Sequence, residues 1–195
     1  MLTSDRAKAD NGQPLQSRQI CWAHLRRDFH ALIDRGGAGA AVGESLLEQA
    51  DVLFGWWPWV RDGTWAPATF QGYMRWLRGA FQQELEAGAR CACPQTAATC
   101  QELLKVETAV WTFARVPGLD PTNNAAERAL RHAVQWRKTS YGTDSLAGSH
   151  FVENLLTVVA TCRQQDRNVL DYLTRCCQAL YTGAPPPSLL PQTMS

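Results

Sequence analysis

Along most of this chain, hydrophobic positions recur at spacings of three and four, the period of an amphipathic helix. The first twenty residues are the exception. They are polar and irregular, and only Ser17-Arg18-Gln19-Ile20-Cys21 reads as a short strand. Trp22, Leu25, Phe29, Leu32 and Ile33 then mark one helical face, ended by Gly36-Gly37. A second stripe, Val42, Leu46, Ala50, Leu53 and Trp57, predicts a helix from about Ala40 to Trp57, closed by Pro58 and the Arg61-Asp62-Gly63 turn. A third helix is expected from about Pro67 to Ala87, with Phe70, Tyr73, Leu77, Phe81 and Leu85 inward. After a linker over 88–95, a fourth begins near Thr96 and carries Cys100, Leu103, Leu104, Val110, Trp111 and Ala114.

Val116-Pro117-Gly118-Leu119-Asp120-Pro121 breaks this pattern, because two prolines bracket a glycine. A short helix is expected to start at Asn123 or Asn124, with a looped or extended return from Trp136 to Ser149. Two more helices follow. One covers about Ser149 to Gln165 (Phe151, Leu155, Val158, Val159, Cys162 inward) and the other about Asn168 to Tyr181 (Val169, Tyr172, Leu173, Cys176, Leu180 inward). The tail from Gly183, with Pro185-Pro186-Pro187, reads as disordered. No internal repeat is present. The fold class is mainly α with one or two short strands.

Composition narrows the class. At 195 residues, 45% hydrophobic and 19% charged, the chain holds one domain or one and a part, and buries a core without disulfides. Nineteen basic residues against 18 acidic ones leave a charge of +1, which excludes a histone-like polycation. Nucleic-acid binding therefore requires a local patch. Two segments are basic: Arg18 to Arg35, and Arg115 to Ser140 with Arg128, Arg131, Arg137 and Lys138. Between them, Ala40 to Thr64 is acidic. Eight tryptophans favour a helix-packed core or stacking surfaces. Seven cysteines, an odd number, follow a polar Met1–Arg6 with no apolar run, so reduced thiols and a cytoplasmic setting are expected. No stretch reaches the ~18 apolar residues of a membrane span.

Two segments invite a chemical interpretation. In Asp120-Pro121-Thr122-Asn123-Asn124-Ala125-Ala126-Glu127-Arg128-Ala129-Leu130-Arg131, spacing supports a capping box with Asn124 as cap and Glu127 three residues on. Glu127 and Arg131 also form an i,i+4 pair. The same segment offers a first-turn carboxylate among cations, suited to a divalent metal with phosphates around it. Spacing alone does not decide between the two. In Cys21-Trp22-Ala23-His24-Leu25-Arg26-Arg27-Asp28-Phe29, Cys21 and His24 are three apart, but no second Cys/His pair stands nearby for zinc. Cys21 and Trp22 read as buried at a strand–helix junction. Cys91, Cys93 and Cys100 read as incidental thiols. No G-x-S-x-G, P-loop or G-x-G-x-x-G is present.

Taken together, Cys21–Phe29, Asn123–Arg131 and the downstream Arg137-Lys138 resemble transposases of the insertion-sequence-66 family, in order and in separation. The resemblance runs from Leu2 to about Leu190. It implies a DDE-class enzyme with a ribonuclease-H-like α/β core in which three carboxylates hold two Mg2+ ions. It implies in-line displacement at phosphorus, first by water and then by a DNA 3′-hydroxyl. Glu127 falls on the family's final glutamate, and Asp5 stands where its second aspartate does. Asn123, Asn124, Arg128, Arg131, Arg137 and Lys138 become DNA-binding candidates, and Cys21, Trp22, His24 and Arg27 structural motif positions.

The chain departs from the family at the first aspartate, expected well upstream, and at the aromatic residues expected around Asp10-Asn11-Gly12. The resemblance therefore implies the C-terminal portion of a transposase. Its expected parts are a partial, truncated ribonuclease-H-like core over 1–35, a helical insertion over 36–116, the rest of the core over 117–182, and the tail over 183–195. Expected partners are transposon-end and target DNA, a full-length transposase or accessory element proteins, with nucleoid association on DNA and no membrane. A missing carboxylate implies no strand transfer by this chain alone. The alternative is a non-catalytic helical module that binds DNA or a transposase.

Overall fold

The computed structural model describes residues 1–5 and 12–190. The expectation placed on Asp10 and Asn11, and the end of the tail at 191–195, lie outside the described residues. The chain is mainly helical, and the described residues divide into two compact units, 1–125 and 126–195.

The first unit opens with two parallel strands, β1 (Leu2–Ser4) and β2 (Arg18–Ile20), in register Leu2 to Arg18, Thr3 to Gln19 and Ser4 to Ile20. All three β2 residues are buried, while Leu2 on β1 is exposed. Helix α1 (Trp22–Asp34) follows at once and buries Trp22, Leu25, Phe29 and Leu32, as the periodicity requires. Gly36 (φ 72°) and Gly37 (φ 57°) turn the chain into α2 (Gly37–Arg61). Helix α3 (Pro67–Gly88) returns, and α4 (Pro94–Lys105) and a single turn α5 (Glu107–Val110) close the unit. One continuous core joins Trp22, Leu46, Leu53, Leu77, Phe81, Leu103 and Trp111.

Four expectations are corrected in this unit. Pro58 does not close α2; the helix runs on to Arg61. Pro58 lacks only its own N–H, and its carbonyl still accepts from Asp62 N–H at 3.0 Å, so the last turn survives before Gly63 (φ 79°) reverses the chain. Tyr73 is exposed, and Met74 fills the core position instead. Trp57 is half-buried rather than core. The fourth helix is not continuous to Ala114. It breaks at Val106 (φ −109°, ψ 10°), gives α5, breaks again at Trp111, and ends as a 3-10 turn over Thr112–Ala114. The breaks free carbonyls for β2 and α1: Val110 C=O accepts from Gln19 Nε2 and Trp22 Nε1, both at 3.0 Å.

The second unit contains most of α6 (Asn124–Ser140), then α7 (Leu146–Gln164) and α8 (Val169–Thr182). Helix α6 has 17 residues, so neither a short helix nor a loop from Trp136 is correct. The helix runs on through the polar residues there, and hydroxyls bond back to a carbonyl of the preceding turn. Thr139 Oγ1 donates to Trp136 C=O at 3.0 Å and Ser140 Oγ to the same carbonyl at 2.8 Å. Tyr141 (φ 61°) and Gly142 (φ 88°) then end the helix. Helix α7 starts before Ser149 because Ser145 Oγ accepts from Gly148 N–H at 3.0 Å and caps it. Phe151, Leu155 and Leu180, expected inward, are exposed, while Cys162, Tyr172 and Ala179 are buried. Residues 183–190, expected to begin a disordered tail, carry carbonyls that accept hydrogen bonds. Tyr172 Oη donates to Pro187 C=O at 3.0 Å and Arg167 to Ser188 C=O at 2.9 Å.

Candidate functional site

Parallel strands end on one side, and the connections after them are where such folds present their chemistry. Asp5 follows β1 directly and is exposed. The neighbouring fixed point is Cys21, at the end of β2. Its N–H donates to the Ser4 carbonyl at 2.9 Å, and its Sγ accepts from the Asn123 N–H at 3.4 Å. Trp22 N–H donates to the Pro121 carbonyl at 2.9 Å. The loop that leads into α6 is thus held against the start of α1. Asn123 on that loop and Ser4, the residue before Asp5, both bond to Cys21. The Oδ1 of Asn123 is buried and takes no hydrogen bond.

Trp22 explains why the strand–helix junction is rigid. It is fully buried, its indole N–H is bonded to Val110, and its ring lies 5.0 Å from Trp111 and 5.3 Å from Phe81. Three residues further, Leu25 continues the buried face. His24 is half-buried and Arg27 exposed on the same helix. Cys21 and His24 are not part of any group of three or more His, Cys, Asp or Glu that could hold a metal ion among the described residues.

Glu127 stands in the first turn of α6 and is half-buried. Because α6 begins at Asn124, Glu127 is its fourth residue, one position later than a capping box with Asn124 as cap requires. Asn124, Arg128, Arg131, Arg137 and Lys138 are exposed. At 3.6 residues per turn, positions 127, 131, 134 and 138 share one face. A carboxylate at the start of that stripe is therefore followed by Arg131 and Lys138 over roughly 16 Å, with Val134 between them. Arg128 and Arg137 flank the stripe on its two sides. Such a face suits a phosphate backbone, whose charges recur along its length.

The Asp5 and Glu127 carboxylates are oxygen donors, the chemistry of a hard cation such as Mg2+ rather than zinc. Mg2+ is ordinarily held by one or two carboxylates, with water and substrate phosphates completing its shell. Each carboxylate is by itself a donor of the kind such a site uses. No three-carboxylate cage occurs among the described residues.

Sequence reasoning missed the polar clamp behind the junction. Gln19 is fully buried; its Oε1 accepts from Phe113 N–H at 2.6 Å while its Nε2 donates to Ile20 C=O at 2.6 Å. Thr112 Oγ1 donates to Arg18 C=O at 2.6 Å. A glutamine in the middle of a short strand leading into an apolar helix face was the available signal. Also missed was the pair of bonds from Arg78 to Glu107, both 2.6 Å, which ties α3 to α5. Glu107 holds the guanidinium proton and raises the Arg78 pKa.

With this geometry in place, comparison with known proteins is informative. The model of the Transposase IS66 family matches residues 8–150. That stretch contains Cys21–Phe29, the Asn123–Arg131 segment, Arg137 and Lys138, and begins three residues after Asp5. A curated relative, the Uncharacterized protein y4qI of Sinorhizobium fredii (strain NBRC 101917 / NGR234), is 25% identical over 191 residues, covering 94% of this chain. The chain spans 34% of that relative's length. No solved structure matches the chain. No helix among the described residues is long and apolar enough to cross a membrane. The family match covers well over half of the chain and takes in both motif segments, so the chain belongs to the IS66 transposase family.

Proposed function

We propose that this chain supplies the C-terminal part of a DDE-type transposase catalytic domain and acts in DNA transposition. The observation that carries this is the family match over 8–150, which includes Glu127 and the basic positions of α6. In this reading 1–35 and 117–182 belong to a ribonuclease-H-like core, and 36–116 is a helical insertion. A two-stranded parallel sheet supports it. Parallel strands are rarely stable in pairs and are normally covered on both faces, so β1 is suited to a further strand on its outer edge.

Glu127 and Asp5 would hold Mg2+ through their carboxylates. When bound, Mg2+ would polarise the scissile phosphate and lower the pKa of the attacking water or 3′-hydroxyl. Arg131 and Lys138 bind backbone phosphates along the α6 stripe, and Arg128 and Arg137 set its edges. Asn123 and Asn124 contribute polar contacts at the helix start. Partners are transposon-end and target DNA, a full-length transposase or accessory element proteins, and the setting is the cytoplasm with association to the nucleoid. Two carboxylates fix less than a two-metal centre needs, and small errors of alignment cost in-line attack steeply. The chain alone is therefore inactive in cleavage and strand transfer.

A second function, a non-catalytic module for DNA or a transposase, is favoured by one observation. Leu130, Val134, Phe151 and Leu155 of the second unit are exposed, an apolar surface suited to a protein partner. The deciding assay compares two proteins with supercoiled DNA and Mg2+. The nuclease-free chain leaves the DNA uncut. A chimera carrying it in place of the matching stretch of an active family transposase cuts the DNA and loses cutting on Glu127→Gln. Cutting that survives Glu127→Gln would remove the catalytic assignment in favour of the binding module.

A further inference from the structure

Helix α2 ends in Trp56-Trp57-Pro58-Trp59, and neighbours on a helix point about 100° apart. Trp57 faces inward to Phe70 and Phe113, with ring centroids at 6.0 and 5.5 Å. Trp56 faces the other way. Its ring lies 5.0 Å from Tyr73, 5.8 Å from Trp65 and 6.3 Å from Trp76. Trp65 stacks on Tyr73 at 4.8 Å and meets Trp59 at 5.3 Å. Five rings from α2, α3 and the turn between them thus form one surface array. Trp76 is 63% exposed, Trp59 46% and Tyr73 45%.

Core formation does not account for this array, because its outer rings keep much of their surface in water. Gly72 is the second observation. It lies within α3 and lines the same groove as Tyr73 and Trp76, at a position where glycine costs about 1 kcal/mol relative to alanine. A Cβ there would meet nothing within 4 Å. No packing inside the chain requires the glycine, yet it leaves open a groove of about 530 Å3 lined by Trp56, Tyr73 and Trp76. The third observation is charge. From Gly63 to Gln83 the chain carries Arg75 and Arg78 and no acidic residue. On the adjoining side of α3, Arg75, Arg78 and Arg115 line a second groove of about 450 Å3, and Ala68 borders both. Arg78 is paired with Glu107; Arg115 Nη2 donates to Thr108 C=O and Thr112 Oγ1, both at 3.2 Å, neutral acceptors that leave its charge, with that of Arg75, to a ligand.

We propose that this face of the insertion helices is a single-stranded DNA site, in which unpaired bases stack in the Trp56–Tyr73–Trp76 groove while Arg75 and Arg115 hold the backbone phosphates. Aromatic shelves beside arginines are the sequence-tolerant way to hold unpaired nucleotides, since every base has a stacking face. A duplex hides those faces and does not fit. The proposal rests on the DNA-processing function above, but it uses neither Glu127 nor a metal ion.

The test is fluorescence anisotropy of a labelled oligothymidylate, about 12 nucleotides long, with the whole chain in chelator. Trp76→Ala and Tyr73→Ala should each weaken binding by about 5- to 150-fold, the range for one lost stacking partner. Gly72→Leu should fill the groove and weaken binding without lowering the melting temperature. Arg75→Gln should lower the slope of log affinity against log salt by about 0.7. Oligothymidylate binding that is indifferent to both Trp76→Ala and Gly72→Leu would overturn the proposal. So would a change of the wild-type oligomeric state on Trp76→Ala with binding intact, since the face would then be a protein interface. Duplex binding, read with Arg131→Gln/Lys138→Gln, separates the two functions. Loss of one form of binding without the other identifies which has failed.

Discussion

Among single side chains, the thiols differ most in chemistry. Cys93 precedes α4 and keeps its thiol pKa below the ordinary value, chiefly because the Thr96 side chain and then its backbone N–H stabilise the thiolate. Burial pushes Cys100 up to about 11. Alkylation by iodoacetamide at neutral pH, followed by mass spectrometry, should therefore label Cys93 well before Cys100. The Cys100 shift also has a sign in stability. The folded state holds the proton more tightly than the unfolded chain, so this contribution is complete below about pH 9 and is lost as pH rises toward about 11. Urea midpoints of Cys100→Ser should lack that alkaline loss. Little of this was legible beforehand, because cysteine spacing does not reveal which thiol faces a hydroxyl and which an apolar core. Gln19 makes the same point. Its position in a strand was visible, but its bonds to Val110 and Phe113 join residues more than ninety positions apart.

At the scale of elements, periodicity located helices well and their ends less well. Helix α1 and the stripe of α2 follow from spacing alone, because burial of one face is a local pattern. The errors came where long-range partners overrule local signals. Val106 and Trp111 break a continuous apolar period so that Val110 can meet Gln19 and Trp22. Polar residues at the end of α6 looked like a loop, although the helix runs through them and their hydroxyls bond back to the Trp136 carbonyl. Close helix contact is a further element-scale property. A Cβ on Gly43 of α2 would stand 2.7 Å from the Phe29 carbonyl and 2.9 Å from Ile33 N, both backbone atoms of α1. Gly43→Ala should therefore destabilise the chain by about 1–3 kcal/mol. Gly79→Ala, with nothing within 4 Å, should be neutral or stabilising. Urea unfolding of the two variants distinguishes a packing effect from a general dislike of alanine.

For the molecule as a whole, two kinds of information were available in the sequence. The residues of the Asn123–Arg131 segment and of Cys21–Phe29 could be read directly, and the family match includes both. What they do structurally could be read only in part. Cys21 and Trp22 lock the loop before α6 to the start of α1, and Glu127 begins a face that Arg131 and Lys138 continue. The aromatic array was not legible, because its five rings come from α2, a turn and α3, and Tyr73 was expected to point inward. Exposed Phe151 and Leu155 on α7 and Leu180 on α8 likewise contradict inward stripes read from periodicity. Both features lie on the surface, where a local hydrophobic pattern and burial within one chain need not coincide.

The central proposal is that Asp5 and Glu127 hold one divalent cation. Mn2+, which shares the oxygen-ligand preference of Mg2+, can be titrated into the whole chain and followed by electron paramagnetic resonance. The expected result is one weak site, weakened at least tenfold by Asp5→Asn and equally by Glu127→Gln, with the fold unchanged by circular dichroism. Mn2+ binding that neither substitution alters, or no binding at all, would contradict it.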